Sequence, residues 1–217
     1  MGLKSKKISG KEYYLLNNDF YTGKVEITYE QTGELKTVGY FYEGLKMGEW
    51  YYFYEGGATE RIENYLYGEL TGIYMALYKN GKLKEIGQMK NNKMDDKWYF
   101  YYENGKKQYE NYYYLGKQSN GEWKEYYENG SPKIKCPTMS GYLYGECKEY
   151  DEEGYLIRKC FMRDSKKNGY EVEYNRSGKE ISKTNYVSGV EMKDWSGGRR
   201  NGESNRSKCF DGCRSKK

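Results

Sequence analysis

Glycine returns along this chain about every 24 residues, and that period constrains the fold more than any other feature. One series reads Gly33, Gly57, Gly81, Gly105, Gly130, Gly154 and Gly178. A second, about nine residues upstream, reads Gly23, Gly48, Gly72, Asp96, Gly121, Gly145 and Gly169. A third, partial series holds Gly44, Gly68, Gly116, Gly141 and Gly189. Seven copies of one unit therefore cover residues 20–190. A repeat of this size is a supersecondary unit that buries its apolar surface only against its neighbours, in a solenoid, propeller or linear array.

Inside the unit, aromatic runs flank short turn signals. Residues 97–106 read Lys-Trp-Tyr-Phe-Tyr-Tyr-Glu-Asn-Gly-Lys. Asn80-Gly81, Asn104-Gly105 and Asn129-Gly130 are the dipeptides favoured in two-residue type I′ hairpins, whose central residues both need positive φ. Aromatic residues suit the strands on either side. The pattern predicts one β-hairpin per unit and an all-β, elongated, single-layer antiparallel meander. With a two-residue turn ending on Gly105, cross-strand partners put Trp98 opposite Asn111 and Phe100 opposite Tyr109. Pro132 and Pro137 are expected to mark a bulge or a local break, because proline cannot donate to a ladder. Three segments follow: 1–19, a basic segment with a capping strand; 20–190, the hairpin repeats; and 191–217, a basic Gly/Ser/Arg-rich flexible tail.

Composition sharpens this reading. Leu, Ile, Val and Phe together number only 31 of 217 residues, a proportion at which disorder becomes a concern. Disorder, however, goes with few aromatics and high net charge, and this chain has 29 Tyr, 4 Trp and a net charge of +5. The absence of histidine excludes Ser–His–Asp and Cys–His catalysis and His-ligated zinc enzymes. The carboxylates follow the repeat instead of breaking it, and no Walker-type phosphate loop is present. The expectation is a non-enzyme without catalytic residues, metal or cofactor.

The segments 48–54 (Gly-Glu-Trp-Tyr-Tyr-Phe-Tyr), 97–106 and 121–130 (Gly-Glu-Trp-Lys-Glu-Tyr-Tyr-Glu-Asn-Gly) resemble the bacterial MORN-repeat variant. That family includes proteins described as antitoxins of the YwqK type. The resemblance implies a MORN-like hairpin array over roughly 170 residues, acting as a scaffold or binding module. It also raises a toxin as the partner. Asp96 in place of glycine departs from the family pattern. The aromatic stretch is similar, too, to the cell-wall-binding repeats of surface proteins, which implies aromatic cages for choline or glycans.

Strand alternation assigns the residues to two faces. Four before the first-series glycine stand Tyr29, Phe53, Leu77, Tyr101, Tyr126, Tyr150 and Tyr174, apolar or aromatic in every unit, and this row is expected to form the core. On the other face the four central units carry Trp50, Tyr54, Tyr74, Tyr78, Trp98, Tyr102, Trp123 and Tyr127. The end units replace them with Glu26, Glu30, Cys147, Asp151, Glu171 and Asn175. Two readings stand: polar capping of the array ends, or a partner-binding strip on the central units that also takes in Phe100 and Tyr109. The partner expected is a protein or peptide. Glycan and anionic lipid are alternatives, nucleic acid is disfavoured, and an edge-strand homodimer through Tyr13–Phe20 is open.

The same register sets Cys147 opposite Cys160, with Cys136 on the preceding strand, so this row holds either a Cys147–Cys160 disulfide or buried thiols. Cys209 and Cys213 have the wrong spacing for a CxxC motif. Residues 1–12 carry a net charge of +3 and residues 190–217 carry +4, so the basic character lies at the ends. No run of 18 apolar residues occurs, and Met1–Gly10 lacks the apolar core of a signal peptide. Lys6 breaks an N-myristoylation pattern. A cytoplasmic location is expected, or an exported or surface-attached one if Met1-Gly2 is foreign to the mature chain.

Overall fold

A computed structural model describes residues 2–192. The expected tail therefore lies almost wholly outside the described residues, as do Cys209 and Cys213. Every described element is a β-strand, and successive strands pair antiparallel in hairpin order. In the central unit Lys93–Tyr101 pairs with Lys107–Tyr114, setting Trp98 opposite Asn111 and Phe100 opposite Tyr109, as the repeat register predicts. Strand order alone can be drawn as a ring. No residue ladder joins Val190–Met192 to Gly23–Thr28 among the described residues, however, and the ladders define a meander.

Two kinds of turn alternate, and their placement corrects the sequence expectation. Tyr102 N–H donates to the Lys106 carbonyl and Gly105 N–H donates to the Tyr102 carbonyl. The loop is thus Glu103-Asn104-Gly105, and within it only Gly105 has positive φ (90°). This is a three-residue hairpin with a type I turn closed by a left-handed glycine, not a type I′ turn. The same bonds recur at Gly57, Gly81, Gly130, Gly154 and Gly178. In the first unit Tyr29 N–H reaches Glu34, so that loop is one residue longer and Tyr29 aligns with Tyr54, not with Phe53.

Type I′ geometry falls at the opposite end of the hairpins, on the third glycine series. Both central residues have positive φ in Glu43-Gly44, Tyr67-Gly68, Asn91-Asn92, Leu115-Gly116, Ser140-Gly141, Asp164-Ser165 and Ser188-Gly189. Asn92 and Ser165 are the members that the glycine count misses. The second series lies inside the outgoing strand, where Gly48, Gly72, Gly145 and Gly169 have φ of 69–111° and Asp96 takes the same conformation at 60°. Each hairpin also shifts register next to its three-residue turn, at Tyr52/Phe53, Phe100/Tyr101 and Glu125/Tyr126, for example. Pro132 therefore sits at a bulge that every unit has, and proline is not its cause.

The expected N-terminal capping strand is a small three-stranded sheet, Lys4–Ile8, Lys11–Leu16 and Asp19–Phe20. Tyr14 N–H donates to the Gly44 carbonyl and Gly44 N–H to the Tyr21 carbonyl, while the Tyr14 ring lies 4.5 Å from that of Phe41. Tyr13 and Tyr14 pair with Lys6 and Ser5, so part of the edge expected to recruit another copy is occupied within the chain.

Candidate functional site

Burial reverses the expected assignment of the two faces. The row from Tyr29 to Tyr174 is half-buried throughout, and no member of it is buried. The opposite face holds the core, with Trp50 2% exposed, Trp98 3% and Cys147 0%. Cross-strand register explains how the tryptophans sink. Trp50 and Trp98 lie over Gly39 and Gly87 on the neighbouring strands, and a Cβ at either glycine would overlap the indole. Trp98 Nε1 donates to the Gln88 carbonyl at 3.0 Å. Trp50 packs with Val25 and Phe41, its ring 4.9 Å from that of Phe41.

The rings of this tryptophan face form a continuous column. Tyr74 lies 5.5 Å from Trp98, Trp98 6.0 Å from Phe100, Phe100 4.1 Å from Tyr109 and Tyr109 5.1 Å from Trp123. The last three contacts are stacked, with interplanar angles of 28°, 17° and 19°. Burial pushes the Tyr109 hydroxyl up to about 12, so it stays neutral at physiological pH. Tyr74, Phe100, Tyr109 and Trp123 are half-buried and retain accessible surface. Five of the predicted strip residues are thus brought together in one column.

The other predicted tyrosines bond within the array. Tyr54 Oη donates to the Leu77 carbonyl, Tyr78 to Tyr101, Tyr102 to Tyr126 and Tyr127 to Tyr150, at 2.6–2.9 Å. Tyr29 makes the same bond to Phe53, so each of the first five hairpins is tied to the next by one phenol. Asn80, Asn104 and Asn129 run in parallel, each donating Nδ2 to a carbonyl in the following turn. Asp151 and Asn175 occupy the tyrosine position in the last units, and their side chains accept from their own turns instead.

The column ends at the sulfur row. Trp123 is paired with Cys136 and packs on a cluster of Ile134, Cys136, Leu143, Cys147, Cys160 and Met162. Cys147 and Cys160 are direct cross-strand partners, as expected. The disulfide nevertheless joins Cys136 to Cys147, with Cα atoms 4.2 Å apart, and leaves Cys160 as a buried thiol. Both neighbouring strands offer Cys147 a partner, and the register does not choose between them. Burial pushes the Cys160 thiol up to about 12, which suppresses the reactive thiolate.

Sequence reasoning missed two charged features of this face. Lys46 Nζ sits 4.5 Å from the Trp50 ring centroid, 4.6 Å from Tyr65 and 5.5 Å from Tyr52, and it donates to Tyr52 Oη at 2.8 Å. This is an aromatic cage for a cation, occupied by the chain's own lysine. Near the other end, buried Arg158 bonds Glu149 and Glu173, both at 2.9 Å. Lys46 and Lys167 stand at equivalent repeat positions, which are apolar at Leu70, Met94 and Leu143. Aligning the units by their turns was the signal that would have found them.

Fold and faces together define a protein made of stacked β-hairpin repeats, with rows of side chains that cross the strands on either face. The MORN repeat variant model matches residues 70–91 and 119–138, so these two segments are MORN-variant repeats. Such repeats are protein- or membrane-binding modules and form a scaffold, not a known enzyme family. A search of curated proteins finds no match.

Proposed function

We propose that the protein is a non-catalytic scaffold that binds a protein or peptide partner through the tryptophan face of its central units. The observation that carries this reading is the stacked column from Tyr74 to Trp123, with its half-exposed rings. Aromatic side chains with polar tips are the groups most often found at interface hot spots. Phe100, Tyr109 and Trp123 would supply the contact surface, and buried Trp50 and Trp98 would support it from beneath. Tyr54, Tyr78, Tyr102 and Tyr127 would line its border while tying the hairpins together. By analogy with the antitoxins of the resembling family, the partner would be a toxin that this chain neutralises. Choline or glycan capture gains nothing from the Lys46 cage, which is already filled.

The test is co-precipitation followed by calorimetry, comparing the wild type with Phe100→Ala/Tyr109→Ala after both give one β-type circular dichroism spectrum. Loss of several kcal/mol of binding to a captured partner is the expected result. Equal affinity for the partner in a folded double variant overturns the assignment of the face. If neither form captures a protein, the partner class itself is wrong.

A further inference from the structure

The opposite face of the C-terminal units carries a charge arrangement that sheet packing does not explain. Lys124 pairs directly with Lys135, Lys135 with Lys148, and Lys148 with Lys159. Four lysines therefore cross four adjacent strands in one row, spanning roughly 15 Å at the usual interstrand spacing. Like charges directly opposite one another destabilise a sheet. Only alternate members are neutralised: Lys124 by Glu122 at 2.8 Å and by Glu110 at 3.4 Å, and Lys148 by Glu146 at 3.2 Å. Lys135 and Lys159 make no ion pair with the described residues. Their ammonium groups lie over Tyr150 and Tyr174, at 5.5 and 6.0 Å from the ring centroids.

Beside the row, on the same face, Phe161 is 43% exposed and Tyr170 is 57% exposed. These are large apolar groups left in water next to unpaired cations. We propose that this lysine face is a docking surface for an acidic protein segment in which carboxylates alternate with apolar side chains. The proposal rests on the reading of the chain as a binding module, but it uses a different face from the aromatic column. Complementary charge identifies the partner: discrete carboxylates fit over Lys135 and Lys159, and apolar residues fit against Phe161 and Tyr170. Glu122 and Glu146, two residues along their strands from Lys124 and Lys148 and on the same face, fit the same partner. They repel the uniform charge of a nucleic-acid backbone but can face the neutral positions of an alternating peptide.

The experiment measures fluorescence anisotropy of the full chain with three probes: a labelled alternating Glu/Leu peptide long enough to cross the row, an oligothymidylate, and vesicles of phosphatidylserine and phosphatidylcholine. The acidic peptide should bind, weaken as salt rises, and lose at least about tenfold in affinity in Lys135→Glu/Lys159→Glu. The milder Lys135→Thr/Lys159→Thr should also weaken binding while raising the melting temperature, since it removes like-charge pairs and adds good strand formers. The Phe100→Ala/Tyr109→Ala variant should leave peptide affinity unchanged. No peptide binding, unchanged affinity in the threonine variant, or stronger binding of oligothymidylate or vesicles overturns the proposal. If the aromatic-face variant loses its captured protein while the lysine variants keep both that protein and wild-type peptide affinity, the function reading survives and this one falls.

Discussion

Single residues in this protein are governed by backbone handedness and by room for rings. Tyr67 and Leu115 stand at the first central position of type I′ turns, with φ of 48°. A bulky side chain is an outlier in that conformation, whereas asparagine adopts it readily. Leu115→Asn is therefore expected to stabilise the fold by up to about 1 kcal/mol, read as an upward shift of the urea midpoint. Gly87 is limited by volume instead, since the Trp98 indole occupies the space of its missing Cβ. Gly87→Ala should destabilise by about 1–3 kcal/mol, and displacement of the indole should change tryptophan fluorescence.

At the scale of the hairpin, stability depends on how one unit is tied to the next. Each hairpin presents backbone ladders sideways, while the phenols and asparagines at the three-residue turns join neighbouring loops. Tyr102→Phe removes one hydroxyl bond to the Tyr126 carbonyl and keeps the ring. It should lower stability by about 0.5–1.5 kcal/mol, measurable by chemical denaturation. In the last units the tie is ionic: Arg158 bridges carboxylates on both neighbouring strands. Arg158→Ala leaves Glu149 and Glu171 buried without that cation and should destabilise by about 3–5 kcal/mol. A loss no larger than that of Tyr102→Phe would show that the carboxylates find other partners.

The molecule as a whole relies on tyrosine where most proteins use aliphatic residues, and this makes it sensitive to alkali. Burial raises the pKa of Tyr74, Tyr78, Tyr102, Tyr109 and Tyr127 in the folded chain. Unfolded tyrosines lose their protons near pH 10 while the folded ones retain them, so the unfolded state binds fewer protons above that pH. Stability is thus fully present below about pH 10 and falls as pH rises further. In an alkaline titration, loss of the β-type spectrum should coincide with the last, most alkaline part of the tyrosinate rise, the part that belongs to the buried rings. Complete formation of tyrosinate while the β-type spectrum is still intact would contradict this account.

Much of the architecture could be read directly from the chain, because a repeat states each local preference seven times. The hairpin in every unit and the antiparallel order follow from period and alternation. The pairings Trp98–Asn111, Phe100–Tyr109 and Cys147–Cys160 follow from a two-residue turn whose error the bulge beside each three-residue loop cancels. The turn types did not follow, because Asn-Gly serves both a type I′ turn and the end of a three-residue loop. The difference lies in hydrogen bonds that span the loop, such as Tyr102 N–H to Lys106. Which face is buried was likewise open. Alternation divides a strand into two equivalent sides, and composition placed tyrosine or tryptophan on both. That choice belongs to neighbouring strands: Gly39 and Gly87 leave space for Trp50 and Trp98 on one face only. The sequence by itself determined the unit, its strands and its register. The tertiary structure decided which side became core, which cysteine Cys147 joined, and which members of the lysine row were left without a carboxylate. Each of those outcomes depends on contacts between strands that local preference does not encode.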